Sequence, residues 1–196
     1  GKTVLTIEGE WKESADPQQP GKTQTRLHKS EHAVVALAMS PCGKLLASGT
    51  PFEPERLWDL ASGRLVKAFN DPQGGIALAF SPDGKLLAAG TVSGLVRVYE
   101  VSSGNEIRKF SGYKAWVNNL AFAPDSKTLA MAGAEARTLF LWDVVSGKDL
   151  RPGIGHRGPI QAVGFAADGR SVTSVSSNRD DEGQAICVWD AASGRS

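Results

Sequence analysis

Cysteine is scarce in this chain of 196 residues: Cys42 and Cys187 are its only two. One falls in a turn signal and the other inside an apolar run, so neither a disulfide framework nor a metal-ligand spacing follows, and a reducing compartment, the cytoplasm, is the expected location. An excess of one charge is also missing. Lys and Arg number 22 against 21 Asp and Glu, a formal net charge of +1. No basic stripe of the kind that holds nucleic acid is formed, so nucleic acid is not an expected partner. No apolar run approaches the ~20 residues of a membrane-crossing helix, so no membrane is expected either.

Chemistry-bearing motifs are equally sparse. The histidines are His28, His32 and His156, and none sits at ligand spacing with a thiol or carboxylate. A Gly-x-Ser-x-Gly elbow is lacking. Gly153-Ile154-Gly155-His156-Arg157-Gly158 has the outline of a dinucleotide fingerprint. That motif needs a helix starting on it, whereas Pro159 and an apolar strand signal follow here. Gly21-Lys22-Thr23 ends like a phosphate-binding loop, but Asp16 stands where that loop requires Gly. The reading assigns no catalytic, cofactor-binding or metal residue, expects no cofactor, and predicts that the chain is not an enzyme.

What the sequence has is repetition. Phe80-Ser81-Pro82-Asp83-Gly84-Lys85-Leu86-Leu87-Ala88 returns as Met39-Ser40-Pro41-Cys42-Gly43-Lys44-Leu45-Leu46-Ala47, as Phe122-Ala123-Pro124-Asp125-Ser126-Lys127-Thr128-Leu129-Ala130, and loosely at 165–173. The steps are 41, 42 and 43 residues, and Gly1-Lys2-Thr3 fits the same series. A fixed period in this range means stacked copies of one supersecondary unit. Pro presets φ in the turn and Gly takes its left-handed position, so each copy carries a tight turn between antiparallel strands. A third strand follows in each: Arg56–Asp59, Val96–Glu100, Leu139–Asp143 and Ile186–Asp190. Both alternating faces of Val96–Tyr99 and Leu139–Trp142 are apolar, which requires cover on both sides. Ala33–Met39 has helical propensity, but its place in the repeat makes it a strand.

Four short strands per ~40–45 residues, with the third ending on Trp58-Asp59, Trp142-Asp143 or Trp189-Asp190, resemble the Trp-Asp (WD) repeat of β-propellers. The resemblance covers 31–196 well and 1–30 weakly. It implies an all-β fold, an open arc of about five blades over 1–30, 31–71, 72–112, 113–154 and 155–196. Three would be complete, the first degenerate and the last lacking its outer strand. The first residues already lie within the repeat, so the chain reads as part of a larger propeller of a bacterial type. The alternative is a closed four-bladed ring, in which Lys22–His28 would pair with the strand of Trp189. Irregular structure is expected over Gly9–Pro20.

The resemblance implies a non-catalytic scaffold for protein–protein interaction, with partners on the loops between blades. Its alternative is a ligand-binding or catalytic propeller using the central channel. Against that, the innermost strands offer only Asn118, Asn119 and Gln161 as sizeable polar groups. It also implies a structural polar brace in the last blade: His156, Ser174, Asp181 (or Asp180) and Trp189. Other blades depart from that pattern, with Asp71 or Pro72 and Tyr113 in the His slot and Tyr99 in place of Trp. Exposed aromatics beside cations mark binding surfaces. Trp116, Lys114 and Tyr113 are therefore the candidate partner-binding residues, with Arg157, Arg179, Asp180 and Glu182 as rim charges. Unpaired blades at the ends of an open arc would favour self-association.

Overall fold

A computed structural model describes residues 11–15, 23–27, 33–69, 73–111, 116–133, 139–150, 156, 158–177 and 184–192. Every regular element among them is a strand. They are β1 (Trp11–Ala15), β2 (Thr23–Leu27), β3 (Ala36–Met39), β4 (Leu45–Thr50), β5 (Glu53–Asp59), β6 (Leu65–Ala68), β7 (Ala77–Phe80), β8 (Leu86–Gly90), β9 (Val96–Glu100) and β10 (Glu106–Phe110). The series continues with β11 (Val117–Phe122), β12 (Thr128–Gly133), β13 (Phe140–Asp143), β14 (Ile160–Phe165), β15 (Ser171–Ser177) and β16 (Gln184–Asp190).

The strands form antiparallel meanders in the sequence order that the repeat requires: β3-β4-β5-β6, β7-β8-β9-β10, β11-β12-β13 and β14-β15-β16. Ala36–Met39 is the first strand of its sheet, as its place in the repeat dictates. Among the described residues the third long sheet has three strands, and its fourth-strand place is marked by a single bridge from Trp142 to Asp149. The last sheet has three strands, as the sequence leads one to expect.

Two expectations fail at the N-terminal end. Trp11–Ala15 is a strand rather than irregular, and it pairs with Thr23–Leu27 in register Trp11↔Leu27 to Ala15↔Thr23. Thr23–Leu27 therefore lies beside β1 and not beside the strand of Trp189, whose sheet ends at β16. This overturns the closed four-bladed ring. The pairing that forms is local, and closing a short loop costs less entropy than joining strands some 160 residues apart.

The turns carry the repeated chemistry. Gly43, Gly84 and Gly169 sit at φ of 69°, 73° and 70° in the turn after the first strand of their sheets, and Ser126 takes the same place at 59°. Asp83 accepts from the Ser81 hydroxyl at 2.6 Å and from the Lys85 N–H at 3.1 Å. In the other turn, Asp59 accepts from the Ser62 N–H and hydroxyl at 2.8 and 2.6 Å. Asp143 likewise accepts from the Ser146 N–H at 2.5 Å. The Asp after Trp58 and after Trp142 thus closes the Ser-Gly turn as an Asx cap.

Stability lies between sheets. Ala47, Leu57 and Phe69 of one sheet pack with Leu87 and Tyr99 of the next, and Ala88, Val98 and Phe110 with Leu129 and Trp142. Ala130, Leu139 and Leu141 do the same with Ile160, Val172 and Trp189. The approach is close enough that a Cβ at Gly90 would lie 2.3 Å from a Val117 methyl. Cations tie the outer edge. The Lys67 ammonium donates to the Ser102 carbonyl at 2.9 Å, and the Arg108 guanidinium donates to Val145, the equivalent carbonyl one sheet on.

Candidate protein-docking face

Of the polar cluster expected in the last sheet, His156 and Trp189 each lie within hydrogen-bonding distance of Ser174. Ser174 on β15 and Trp189 on β16 are buried, and His156 enters just before β14. The Trp189 indole N–H donates to Ser174 Oγ at 2.7 Å, and His156 Nε2 lies 2.6 Å from the same oxygen. The imidazole stands edge-on to the indole at 5.6 Å between centroids. Desolvation lowers the pKa of His156, so burial favours the neutral ring. Cys187 Sγ lies 3.7 Å from Nδ1. Asp181 and Asp180 lie outside the described residues. One hydroxyl serves two ring nitrogens here, and both bonds satisfy groups that burial would otherwise penalise.

A second, partial version was not read from the sequence. The Trp58 indole N–H donates to Ser48 Oγ at 2.9 Å, and Ser48 occupies the same register position as Ser174. In the two middle sheets that position is Ala89 or Met131. There the third-strand aromatic is instead stacked by a fourth-strand Phe from the preceding sheet. Phe69 meets Tyr99 at 4.7 Å, tilted by 36°, and Phe110 meets Trp142 at 4.5 Å, nearly parallel at 8°. The signal was present in the sequence: Phe69 follows the last residue of β6 and Phe110 ends β10, one period apart.

Of the candidate docking residues, Trp116 is described, just before β11 at the end of the sheets where first strands begin and second strands finish. It is 60% exposed, while the adjoining Val117 is fully buried. Strand alternation turns Val117 into the joint between sheets and leaves the indole outside. Tyr113, Lys114, Arg157, Arg179, Asp180 and Glu182 lie outside the described residues.

Phe52, missed by the sequence reading, sits at the same end. It occupies the two-residue turn between β4 and β5 at φ 68°, a left-handed conformation that costs a bulky side chain energy. Its ring is 59% exposed, and its N–H donates to the Gln73 carbonyl at 3.0 Å. Gly74 fits beneath this turn at φ 63°, where a Cβ would meet the Thr50 carbonyl oxygen at 2.1 Å. The turn is thus held by backbone contacts, and the aromatic is presented outward at the expense of a preferred φ. The signal in the sequence was a Phe in a turn slot that favours Gly or Asn.

The sizeable polar groups of the inner strands are amides rather than ionisable groups. Asn118 on β11 and Gln161 on β14 are exposed at equivalent positions, and Asn119 Oδ1 accepts from the Val163 N–H at 3.4 Å. Among the described residues, no group of three His, Cys, Asp or Glu is placed to hold a metal ion. Nor is any helix there long and apolar enough to cross a membrane.

The family model described as WD domain, G-beta repeat matches residues 63–100 and 104–143. No curated protein matches the chain. Hydrazine synthase of Kuenenia stuttgartiensis superposes on 89% of this chain with a TM-score of 0.74 and 20% identity. This chain covers 51% of that one, about half its length. The computationally designed Ika4 protein superposes on 84% of this chain, with 95% of its own length covered, a TM-score of 0.68 and 25% identity. These likenesses show the fold.

Proposed function

We propose that the chain, two of whose repeats match the WD domain, G-beta repeat model, is a non-catalytic scaffold that docks other proteins on the loop end of its blades. The units of that scaffold are the blades 31–71, 72–112, 113–154 and 155–196, with 1–30 a degenerate first blade. The observation that carries the reading is the contrast between Trp116, mostly exposed, and Val117, fully buried. A large aromatic held outside a rigid joint loses little entropy on binding and offers area for a hot spot. Phe52 adds a second aromatic at the same end. Lys114 and Tyr113 would complete the Trp116 patch, and Arg157 with the Arg179–Glu182 tip would supply rim charge that steers encounter more than it adds affinity. In this reading His156 and Ser174 serve to brace Trp189, linked to it by hydrogen bonds that meet at Ser174. The cytoplasm is the proposed location.

The test is affinity capture from extracts of the source cells with immobilised wild type and Trp116→Ala. A protein retained by the wild type and lost by the variant is expected, with Val66→Ala, an exposed apolar residue on an outer strand, retaining it. Equal retention by wild type and Trp116→Ala would place binding elsewhere.

A further inference from the structure

Two neighbouring sheets carry the same irregularity, and each time it exposes an amide. In the β11–β12 pair the register shifts between Val117 and Asn119, and in the β14–β15 pair between Ile160 and Ala162. The extra residues are Asn118 and Gln161. The first strands β3 and β7 meet their partners without a shift, from Ala36↔Gly49 to Met39↔Leu46 and from Ala77↔Gly90 to Phe80↔Leu87. A bulge leaves one residue outside the ladder and re-aims its side chain, a device found beside binding and active sites. Val117 and Ile160, each one residue earlier, are fully buried, whereas Asn118 and Gln161 are exposed.

The two bulges are tied together. Asn119, next to the first, accepts through Oδ1 from the Val163 N–H of β14 at 3.4 Å, so the inner strands of the two sheets are fastened beside their exposed amides. Trp116 stands immediately ahead of Val117 with its indole exposed. An indole and two amides are thus gathered at the start of adjacent first strands. Each amide offers two N–H donors and an acceptor oxygen, and none of the three groups carries a charge. An ionic ligand finds no counter-charge on them. A pyranose ring fits the set: its C–H face lies against an indole, and a vicinal pair of hydroxyls both donates to and accepts from an amide. A nucleobase also stacks on aromatic rings and pairs with an amide. Sheets pack face to face at ~10 Å, however, too far apart for the edge of one base to meet an amide from each. A short chain of sugar rings carries hydroxyls along its whole length and reaches both.

We infer that Trp116, Asn118 and Gln161 form a binding site for a neutral oligosaccharide, with one ring stacked on the indole and hydroxyl pairs held by the two amides. The source is either a free saccharide or the glycan of a partner protein, and the chemistry at the site is the same for both. This goes beyond the docking reading. It shares Trp116 with that reading, whereas Asn118 and Gln161 have no part in it.

The test is saturation-transfer NMR on the full chain with cellotriose and chitotriose as probes and triglycine as the neutral peptide control. The wild type is expected to transfer saturation to at least one trisaccharide and not to triglycine. Trp116→Ala, Asn118→Ala and Gln161→Ala should each weaken that binding about tenfold or more, the loss of one well-made contact, while Val66→Ala leaves it unchanged. Asn118→Ser and Gln161→Ser replace either alanine variant that loses its β-sheet circular dichroism spectrum. Silence with both trisaccharides would overturn the inference, as would transfer to triglycine in their place or undiminished binding by the Asn118→Ala/Gln161→Ala double variant. An excess of the bound trisaccharide added to the capture experiment then separates the sources: a captured protein released by it carries the glycan, and one that stays leaves a free saccharide as the ligand. The NMR measurement needs no partner protein, so this proposal and the docking reading fail independently.

Discussion

Phe110, the last residue of an outer strand, lies flat against Trp142 of the following sheet at 4.5 Å between ring centroids. The pair crosses a sheet boundary, so it stabilises the stack and neither sheet alone. Phe110→Ala is expected to cost roughly 3–5 kcal/mol, the range for truncating a buried aromatic. Ile107→Ala, at an exposed position on the same strand, should stay within about 0.5 kcal/mol. Urea unfolding followed by circular dichroism compares them. Equal effects would remove the inter-sheet stack from the account.

Ser174 is the shared partner of two buried rings. Ser174→Ala leaves the Trp189 N–H without an acceptor in a dry site, at about 1–3 kcal/mol. Ser48→Ala removes a single bond that is only partly buried and should cost about 1 kcal/mol or less. Ser174→Ala costing no more than Ser48→Ala would show that the cluster does not brace its blade.

His156 makes stability depend on pH. Burial lowers its pKa below the ordinary value of 6.5, so between the two the unfolded chain binds a proton that the folded chain refuses. Both states are neutral above about pH 6.5, and the group then leaves stability unchanged. As pH falls below that value toward the folded pKa, stability is lost. The wild type should therefore weaken between pH 7 and 5, and His156→Gln should show a flatter profile over the same window. Asp59 and Asp143, lowered by hydrogen bonds from Ser62 and from Ser146, contribute stability above pH 3.8 that is lost as pH falls through their folded values. That acid limb should persist in His156→Gln. Parallel profiles for the two proteins between pH 7 and 5 would contradict the assignment to His156.

Phe52 holds a backbone conformation suited to glycine. Phe52→Gly is expected to leave stability unchanged or raise it by up to about 1 kcal/mol through relief of that strain, while weakening capture of the protein that Trp116 retains. A substantial loss of stability would mean that the ring packs within the fold.

The period of the turns made the stacked sheets legible, because Pro and Gly in a fixed relation to apolar strands have few other uses. The third-strand aromatics were legible for the same reason, and Trp58, Tyr99, Trp142 and Trp189 each stand one residue before the end of their strand. The register position of Ser174 also carried through. What stayed hidden were relations between sheets. Phe69 and Phe110 read as ordinary strand ends until the neighbouring sheet placed an aromatic against each. Phe52 was hidden by its turn, since one residue's φ depends on the backbone of Gly74 packed under it. The period put Thr23–Leu27 in an outer-strand slot, and it pairs with Trp11–Ala15 at the third-strand place; the alternative pairing with the strand of Trp189 does not form, since the local partner comes at lower entropic cost.

The central claim is that the repeated aromatics are structural and that the exposed one is for binding. Trp116 and Trp142, truncated to Ala in parallel and unfolded by urea, test it most directly. Trp142→Ala should lose about 3–5 kcal/mol, as a buried aromatic does on truncation. Trp116→Ala should lie within about 0.5 kcal/mol of wild type. A loss at Trp116 approaching that at Trp142 would make it a packing residue and contradict the docking face.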